Sequence, residues 1–158
     1  MDDDRISGVA LRVGSTDVDV GTFGSAVDTN ALSLSVYGIN SLGNRNYLKH
    51  VFGVSYLDSD IVRKDEKKPK NTGERKGKQV FGSLDFGREY EDGDVIITPI
   101  GRIDGSYTML NSYIEDGEAA LSYNDQNIKS LMASLGVLFD GDVDLENSNV
   151  RSRINLEY

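Results

Sequence analysis

Few side chains in this 158-residue chain could support catalysis. His50 is its single histidine, and no neighbour in the sequence would make it a general base. The chain has no cysteine, which removes thiol nucleophiles and thiolate ligands. Asp85 and Asp104 could form an acid–base pair, but salt bridges with Arg102 explain them equally well. We therefore expect no enzymatic activity, no catalytic residue and no cofactor.

A run of acids near the end of the chain resembles the start of a calcium-binding loop: Asp140, Asp142, Asp144 and Glu146. An EF-hand requires glycine at the sixth position and glutamate at the twelfth. Those positions hold Leu145 and Arg151, so the EF-hand pattern fails. We predict a solvated turn and no metal ligands here, with a weak surface calcium site as the alternative.

The charge of the chain is negative overall and unevenly placed. A formal net charge of −9 argues against a nucleic-acid partner, because the phosphate backbone would be repelled. Eight of the 17 lysines and arginines nevertheless lie between Arg63 and Lys78. We predict a solvated loop over about residues 60–78, and the alternative is a surface that contacts anions such as the phosphates of lipopolysaccharide.

The stretch 94–139 shows the pattern that organises the chain. Apolar residues alternate with small or polar ones on both sides of a polar segment, which predicts two β-strands flanking a loop. Leu131, Leu135 and Phe139 share one parity in the second strand, whereas Arg102 and Asp104 occupy the polar parity of the first. Similar alternation predicts five more strands, at about 6–20, 26–40, 46–59, 79–90 and 150–158.

These seven segments indicate an all-β fold, an antiparallel up-and-down meander forming part or all of a transmembrane β-barrel in one domain, residues 1–158. Longer and shorter connections alternate, as expected for loops outside the cell and turns in the periplasm. The polar parity mixes small residues with charges of both signs, which suits a water-filled lumen. The lumen-facing candidates are Arg12, Lys49, Asp85, Glu89, Arg102, Asp104, Arg151, Arg153 and Glu157.

No segment reads as a secretory signal or a transmembrane helix. The start, MDDDRISGVAL, is acidic and lacks an apolar core, and no run reaches about 18 apolar residues. Barrel strands need only about 9–11 residues, so a membrane barrel remains consistent with the sequence. The export signal of such a protein is expected outside this chain.

The order of short motifs resembles the central part of the translocator barrel of autotransporters, the type V secretion proteins. ITPIGRIDGSY is followed by a loop with a Glu-x-Gly motif and then by LSYNDQNIKSLMASLGV. The matching positions are Thr98, Pro99, Arg102, Glu115, Gly117, Ser130, Leu131 and Gly136. The preceding segment, GVALRVGSTDVDVGTFGSAVDTNALSLSVYG, resembles the family's upstream hairpin.

The resemblance implies a barrel in the bacterial outer membrane that anchors and exports a passenger domain. Its implied partners are outer-membrane lipid, the passenger and the barrel-assembly machinery. The family barrel has about twelve strands and a plug helix, so we expect an incomplete barrel here, and its unpaired edge strands could support self-association. The ending VRSRINLEY resembles both a C-terminal outer-membrane signal and an internal strand, and we favour the internal strand.

Two other functions are consistent with the pattern. One is a soluble β-sandwich or β-barrel binding module, such as an adhesin-like domain, whose apolar faces pack against each other. The other is a small structural outer-membrane barrel, closed by an eighth strand within residues 107–125.

The glycine after Asp104 falls inside a predicted strand, where it would mark a bend or bulge.

Overall fold

The chain forms one large antiparallel sheet. The computed structural model describes residues 5–21, 23–65, 68–93, 95–145 and 148–157. The strands are β1 (Arg5–Val20), β2 (Ser25–Gly43), β3 (Asn46–Asp65), β4 (Lys68–Arg88), β5 (Tyr90–Asp92), β6 (Val95–Leu110), β7 (Tyr113–Ile114), β8 (Ser122–Tyr123), β9 (Gln126–Leu145) and β10 (Ser148–Glu157). No helix in these ranges is long and apolar enough to span a membrane.

The long strands pair in the order β1-β2-β3-β4-β6-β9-β10, each antiparallel to the next, and β5 pairs with β6. Every long strand therefore neighbours the one that follows it, which confirms the up-and-down meander. In the described residues β1 pairs only with β2, and β10 only with β9, so the sheet has two edges.

The two faces of the sheet have inverted polarity compared with a soluble protein. One face, called the apolar face, carries large exposed side chains such as Leu34, Val54 and Leu131. The opposite face, called the polar face, carries Ser55 and Asp85, which are buried. No hydrophobic side chain is buried among the described residues. A soluble sandwich would bury its apolar face, so this distribution argues against a soluble module.

The strand connections define two ends of the sheet. Residues 21–24, 66–67 and 111–125 connect strands at one end, called the loop end. Residues 44–45, 89–94 and 146–147 connect them at the other, called the turn end. Asn44 and Arg45 both have positive φ, 50° and 61°, as a two-residue hairpin of type I′ requires. The longest connection, 111–125, lies at the loop end.

The charged segment predicted as a loop over 60–78 is instead a β-hairpin. β3 continues to Asp65 and β4 begins at Lys68, with pairing from Asp58 opposite Lys76 through Arg63 opposite Asn71. The prediction was wrong because it relied on apolar alternation, whereas backbone hydrogen bonds also pair polar strands. The β3–β4 connection is therefore short, and lengths do not alternate as regularly as the sequence suggested.

Three further expectations also fail. Residues 107–125 contain no eighth strand of the large sheet, because β7 and β8 pair with each other as a separate ribbon. The Asp104–Gly105 pair makes no bulge, since the register of β6 is continuous with both neighbours. The expected turn at the calcium-like acids is strand up to Leu145, where β9 pairs with β10. Glu146 lies outside the described residues.

Candidate functional site on the polar face of the sheet

Hydroxyl and amide groups pair across neighbouring strands in the middle of the polar face. Ser33 Oγ lies 2.8 Å from Ser55 Oγ, and Gln79 Nε2 donates to Thr108 Oγ1 at 2.9 Å. Arg12 lies opposite Ser33 in the register, and it lines a groove with Ser33, Ser55 and Gln79. Small polar groups therefore line this groove together with three larger apolar residues, Val51, Leu57 and Phe81.

Charged side chains pair closer to the turn end. Arg102 Nη2 donates to Asp85 Oδ2 at 2.9 Å, and Lys49 lies opposite Asp85 on the other side. The second oxygen, Asp85 Oδ1, is buried and has no hydrogen-bond partner among the described atoms. Asp104 lies two residues after Arg102 in β6, on the same face, and opposite Ser83. Four of the predicted lumen-facing residues are therefore brought together on one face.

The other predicted lumen residues are dispersed. Glu89 lies between β4 and β5, is exposed, and donates its backbone N–H to the carbonyl of Arg45. In the backbone register, Arg151 lies opposite Asp142, Arg153 opposite Asp140 and Glu157 opposite Gly136. The side chains of these three β10 residues lie outside the described part of the structure. A lumen role for the whole set stays a prediction.

The most elaborate polar cluster fastens the 111–125 connection to the polar face. Glu115 accepts from Arg63 through two atoms, Nε to Oε1 at 2.8 Å and Nη2 to Oε2 at 2.6 Å. Arg63 Nη2 also donates to the carbonyl of Ala119 at 2.8 Å, and the Leu121 N–H donates to Glu115 Oε2. The Glu115 side chain is 1% exposed and that of Arg63 26%. This fork geometry makes a strong, orientation-specific contact.

Backbone contacts with β4 complete this cluster. Thr72 and Asp116 exchange two backbone hydrogen bonds, at 3.0 and 2.7 Å. The buried Asn71 accepts the Ala119 N–H at its Oδ1 atom. Gly117 has φ +142°, and a Cβ there would lie 2.3 Å from Asn71 Oδ1, so only glycine fits. We call the group Arg63, Asn71, Glu115 and Gly117 the loop clasp.

A second set of contacts holds the two ends of the same connection. Arg75 donates to the carbonyls of Asn111 and Asn124. The rings of Tyr113 and Tyr123 stack with centroids 4.7 Å apart. Much of the connection is therefore held by contacts with β3, with β4 and with itself.

The electrostatics of the loop clasp favour the charged form of Glu115. The hydrogen bonds from the Arg63 guanidinium hold the pKa of the Glu115 carboxyl below its usual range, although burial opposes the shift. The Leu121 N–H and the charge of Arg63 lower this pKa further. The clasp is therefore an ion pair at neutral pH.

The motif positions predicted from the family resemblance fall into distinct environments. Thr98 is buried on the polar face, whereas Leu131 is strongly exposed on the apolar face. Pro99 lies opposite Val137 of β9; on its other side it falls in the gap between the pairing with β5, which ends at Ile97, and the pairing with β4, which begins at Ile100. Ser130 lies opposite Ser106, and Gly136 opposite Ile100.

Sequence reasoning found Glu115 and Gly117 but missed their partners. Arg63 and Asn71 lie in the segment predicted as a solvated loop. The detectable signal was parity, because Arg63 shares the parity of Lys49 and Ser55 along β3. Among the described residues, no group of three or more acidic or histidine side chains could hold a metal ion.

An antiparallel meander with an exposed apolar face and a polar opposite face is the architecture of a transmembrane β-barrel. The family model of the Autotransporter beta-domain matches residues 1–158, and the chain belongs to this family, whose barrels reside in the bacterial outer membrane. Its fold matches the structure titled "Translocator domain of autotransporter NalP from Neisseria meningitidis" with a TM-score of 0.81 and 16% identity. The match covers 98% of this chain and 54% of that one, so the chain spans about half its length. A search of curated proteins found no match.

Proposed function

We propose that this chain supplies part of an outer-membrane pore through which a passenger polypeptide is exported and by which it is anchored. The main support is the inverted polarity of the sheet. Its exposed apolar face suits lipid, and its buried polar residues suit a hydrated lumen. The proposal assigns no catalytic step to the chain.

The polar face suits polypeptide transit because many of its central positions carry small hydrogen-bonding groups, although Phe81 also lines the groove. Ser33, Ser55 and Thr108 offer weak, exchangeable contacts rather than an apolar site that would hold the passenger. The loop clasp lies at the loop end, where the long connection would face the cell exterior. We infer that the clasped loop forms part of the rim past which the passenger leaves.

The two edges of the sheet require further strands. An unpaired edge in lipid leaves backbone groups without partners, and each such group costs several kcal/mol. We infer that strands outside this chain pair with β1 and β10, and that self-association through these edges is a competing outcome. Insertion by the barrel-assembly machinery is proposed from family membership.

The proposal is tested by adding bulky side chains to the polar face, which would narrow the lumen, in the full-length protein that contains this chain. The double change Ser33→Trp and Ser55→Trp places two large rings on facing positions of the polar face. Protease digestion of intact cells then measures the passenger at the surface, and heat-modifiable electrophoretic mobility measures folded barrel. We expect surface passenger to fall severalfold while folded barrel is retained.

The matched control places the same bulk one residue along each strand. Leu34→Trp with Val54→Trp changes the apolar face, where aromatic rings meet lipid, and passenger display should be unchanged. Equal passenger display by both double variants, with equal folded barrel, would refute transit along the polar face.

A further inference from the structure

The apolar face is not uniformly covered by large side chains. Between β4 and β9 it has a groove of about 390 Å³ whose floor includes Gly82 and Gly105, with Phe52 and Leu131 on its sides. A second groove of about 670 Å³, with Gly101 and Leu135, continues toward the turn end. Leu84 and Ile103 line both, so the two form one continuous furrow. This furrow lies on inner strands of the sheet, away from both edges.

Lysines lie at the loop end of this furrow. Lys129 stands over the ring of Tyr107, with Nζ 5.7 Å from the ring centroid, and Tyr107 lines the groove. Lys78 is exposed on β4, between Tyr56 and Met109 in the register. Neither lysine forms an ion pair with a carboxylate in the described part of the chain. Both cations are thus available where the apolar band ends.

Four residues beyond Lys78 toward the loop end, a row of residues across the neighbouring strands is acidic, and Glu74 of β4 belongs to it. Beyond the apolar band, β1, β2 and β3 present Asp17, Asp28 and Asp60, which lie opposite one another in the register. An anion would be repelled there and attracted by Lys78 and Lys129. The positive charge is therefore placed beside the furrow, in a chain whose net charge is −9.

The spacing of the lysines limits the headgroup. Lys78 and Lys129 lie on β4 and β9, which are two strands apart, and they are offset by two residues along the strand direction. Their Cα atoms are therefore about 12 Å apart. Two phosphates on one headgroup fit this separation better than one. A single lipid could place its acyl chains in the furrow and its phosphates beside the lysines at the membrane surface.

We propose that this furrow binds the phosphorylated, multiply acylated glycolipid of the outer leaflet, lipid A, with an acyl chain over Gly101 and Gly105 and phosphates at Lys78 and Lys129. The proposal goes beyond passenger export and does not depend on it. It depends on the loop end facing the cell exterior, which the long connection at this end indicates.

Native mass spectrometry of the full-length barrel protein in mild detergent, titrated with bis-phosphorylated lipid A, tests the proposal. Lys78→Gln with Lys129→Gln should weaken binding by about 30-fold, from about 1 kcal/mol per lysine near a charged surface. Lys70→Gln is the matched control, because Lys70 is exposed on the same strand about 26 Å from Lys78. It should leave binding unchanged.

A second variant tests the apolar part without altering charge. A Cβ at Gly105 would meet Leu131 at 3.8 Å, an ordinary contact, so the first atom of a side chain fits there and Gly105→Leu places its larger side chain in the furrow. We expect it to weaken lipid A binding while heat-modifiable mobility stays that of the folded barrel. Monophosphoryl lipid A should bind more weakly than the bis-phosphorylated form.

Three results would overturn the proposal. They are equal binding by the lysine double variant and Lys70→Gln, unchanged binding by a folded Gly105→Leu variant, and binding of phosphatidylglycerol as tight as that of lipid A. The last would show a general anionic-lipid contact without a site for this glycolipid. Passenger display serves as an independent readout, since loss of lipid binding with normal display leaves the export proposal standing.

Discussion

Removing the Glu115 carboxylate should release the 111–125 connection from the polar face. In Glu115→Ala the Arg63 guanidinium loses both of its carboxylate hydrogen bonds, and the Leu121 N–H loses its acceptor. Removing one partner of a buried ion pair costs about 3–5 kcal/mol, and the partial exposure of Arg63 favours the lower end. We therefore expect about 3 kcal/mol, or a roughly 100-fold larger opening equilibrium for the loop.

Amide hydrogen exchange on the full-length protein in detergent measures this opening. The informative amides are those of Glu115 and Asp116, because their acceptors, the carbonyls of Leu121 and Thr72, are unchanged in the variant. Glu118→Ala is the control, because Glu118 is an exposed acid in the same connection. Exchange at these amides that is equal in Glu115→Ala and Glu118→Ala would refute the clasp as the main anchor.

The pH dependence of loop opening gives a second check on the same contact. The folded pKa of Glu115 lies below its unfolded value of about 4.3, so the stabilisation is fully present above that pH. It is lost as the pH falls through the folded pKa. Exchange corrected for its intrinsic pH dependence should be constant from about pH 7 to 5 and should rise below about pH 4. In Glu115→Gln the rise should be absent.

Three further predictions concern the loop clasp and the two faces of the sheet. Gly117→Ala should open the connection at least as much as Glu115→Ala, because its Cβ would overlap Asn71 and φ +142° strains any side chain; hydrogen exchange measures this. Gly53→Ala should lower barrel stability by about 1–3 kcal/mol in urea titration, because its Cβ would lie 2.4 Å from the Phe81 ring. Val54→Arg puts a charge on the lipid face and should cost about 2–4 kcal/mol of membrane folding free energy, measured by urea titration in lipid.

Each of these predictions has a control in the same chain. Gly105→Ala is the counterpart of Gly53→Ala, since its Cβ has only ordinary contacts and its stability change should be near zero. Gly93→Ala also places alanine at positive φ but meets no atom within 4 Å, which separates backbone strain from the clash with Asn71. Ser33→Arg adds the same charge to the polar face and should cost less than Val54→Arg. Equal costs within any pair would contradict the assigned contact.

The sequence was sufficient to predict the number of long strands, their order and the face of most of their side chains. This follows from local geometry, because successive side chains of a strand point to opposite faces. That alternation is the same whichever residues of the neighbouring strand lie opposite. Leu34, Val54 and Leu131 could therefore be assigned to one face, and Ser33, Ser55 and Arg102 to the other. The chemistry of these faces favoured a membrane barrel but left a soluble sandwich open, against which the exposed apolar face of the structure argues.

Tertiary structure decided which side chains meet. Arg63 and Glu115 are 52 residues apart, and their contact depends on a polar hairpin and on the path of the 111–125 connection. Apolar alternation ends before that hairpin, and the polar parity of Arg63 alone did not distinguish a strand from a charged loop. The lysines beside the lipid-facing furrow likewise became neighbours only through the registers of β4, β6 and β9. Local periodicity determines faces, whereas register is set by the sum of cross-strand pairs, which no single segment contains.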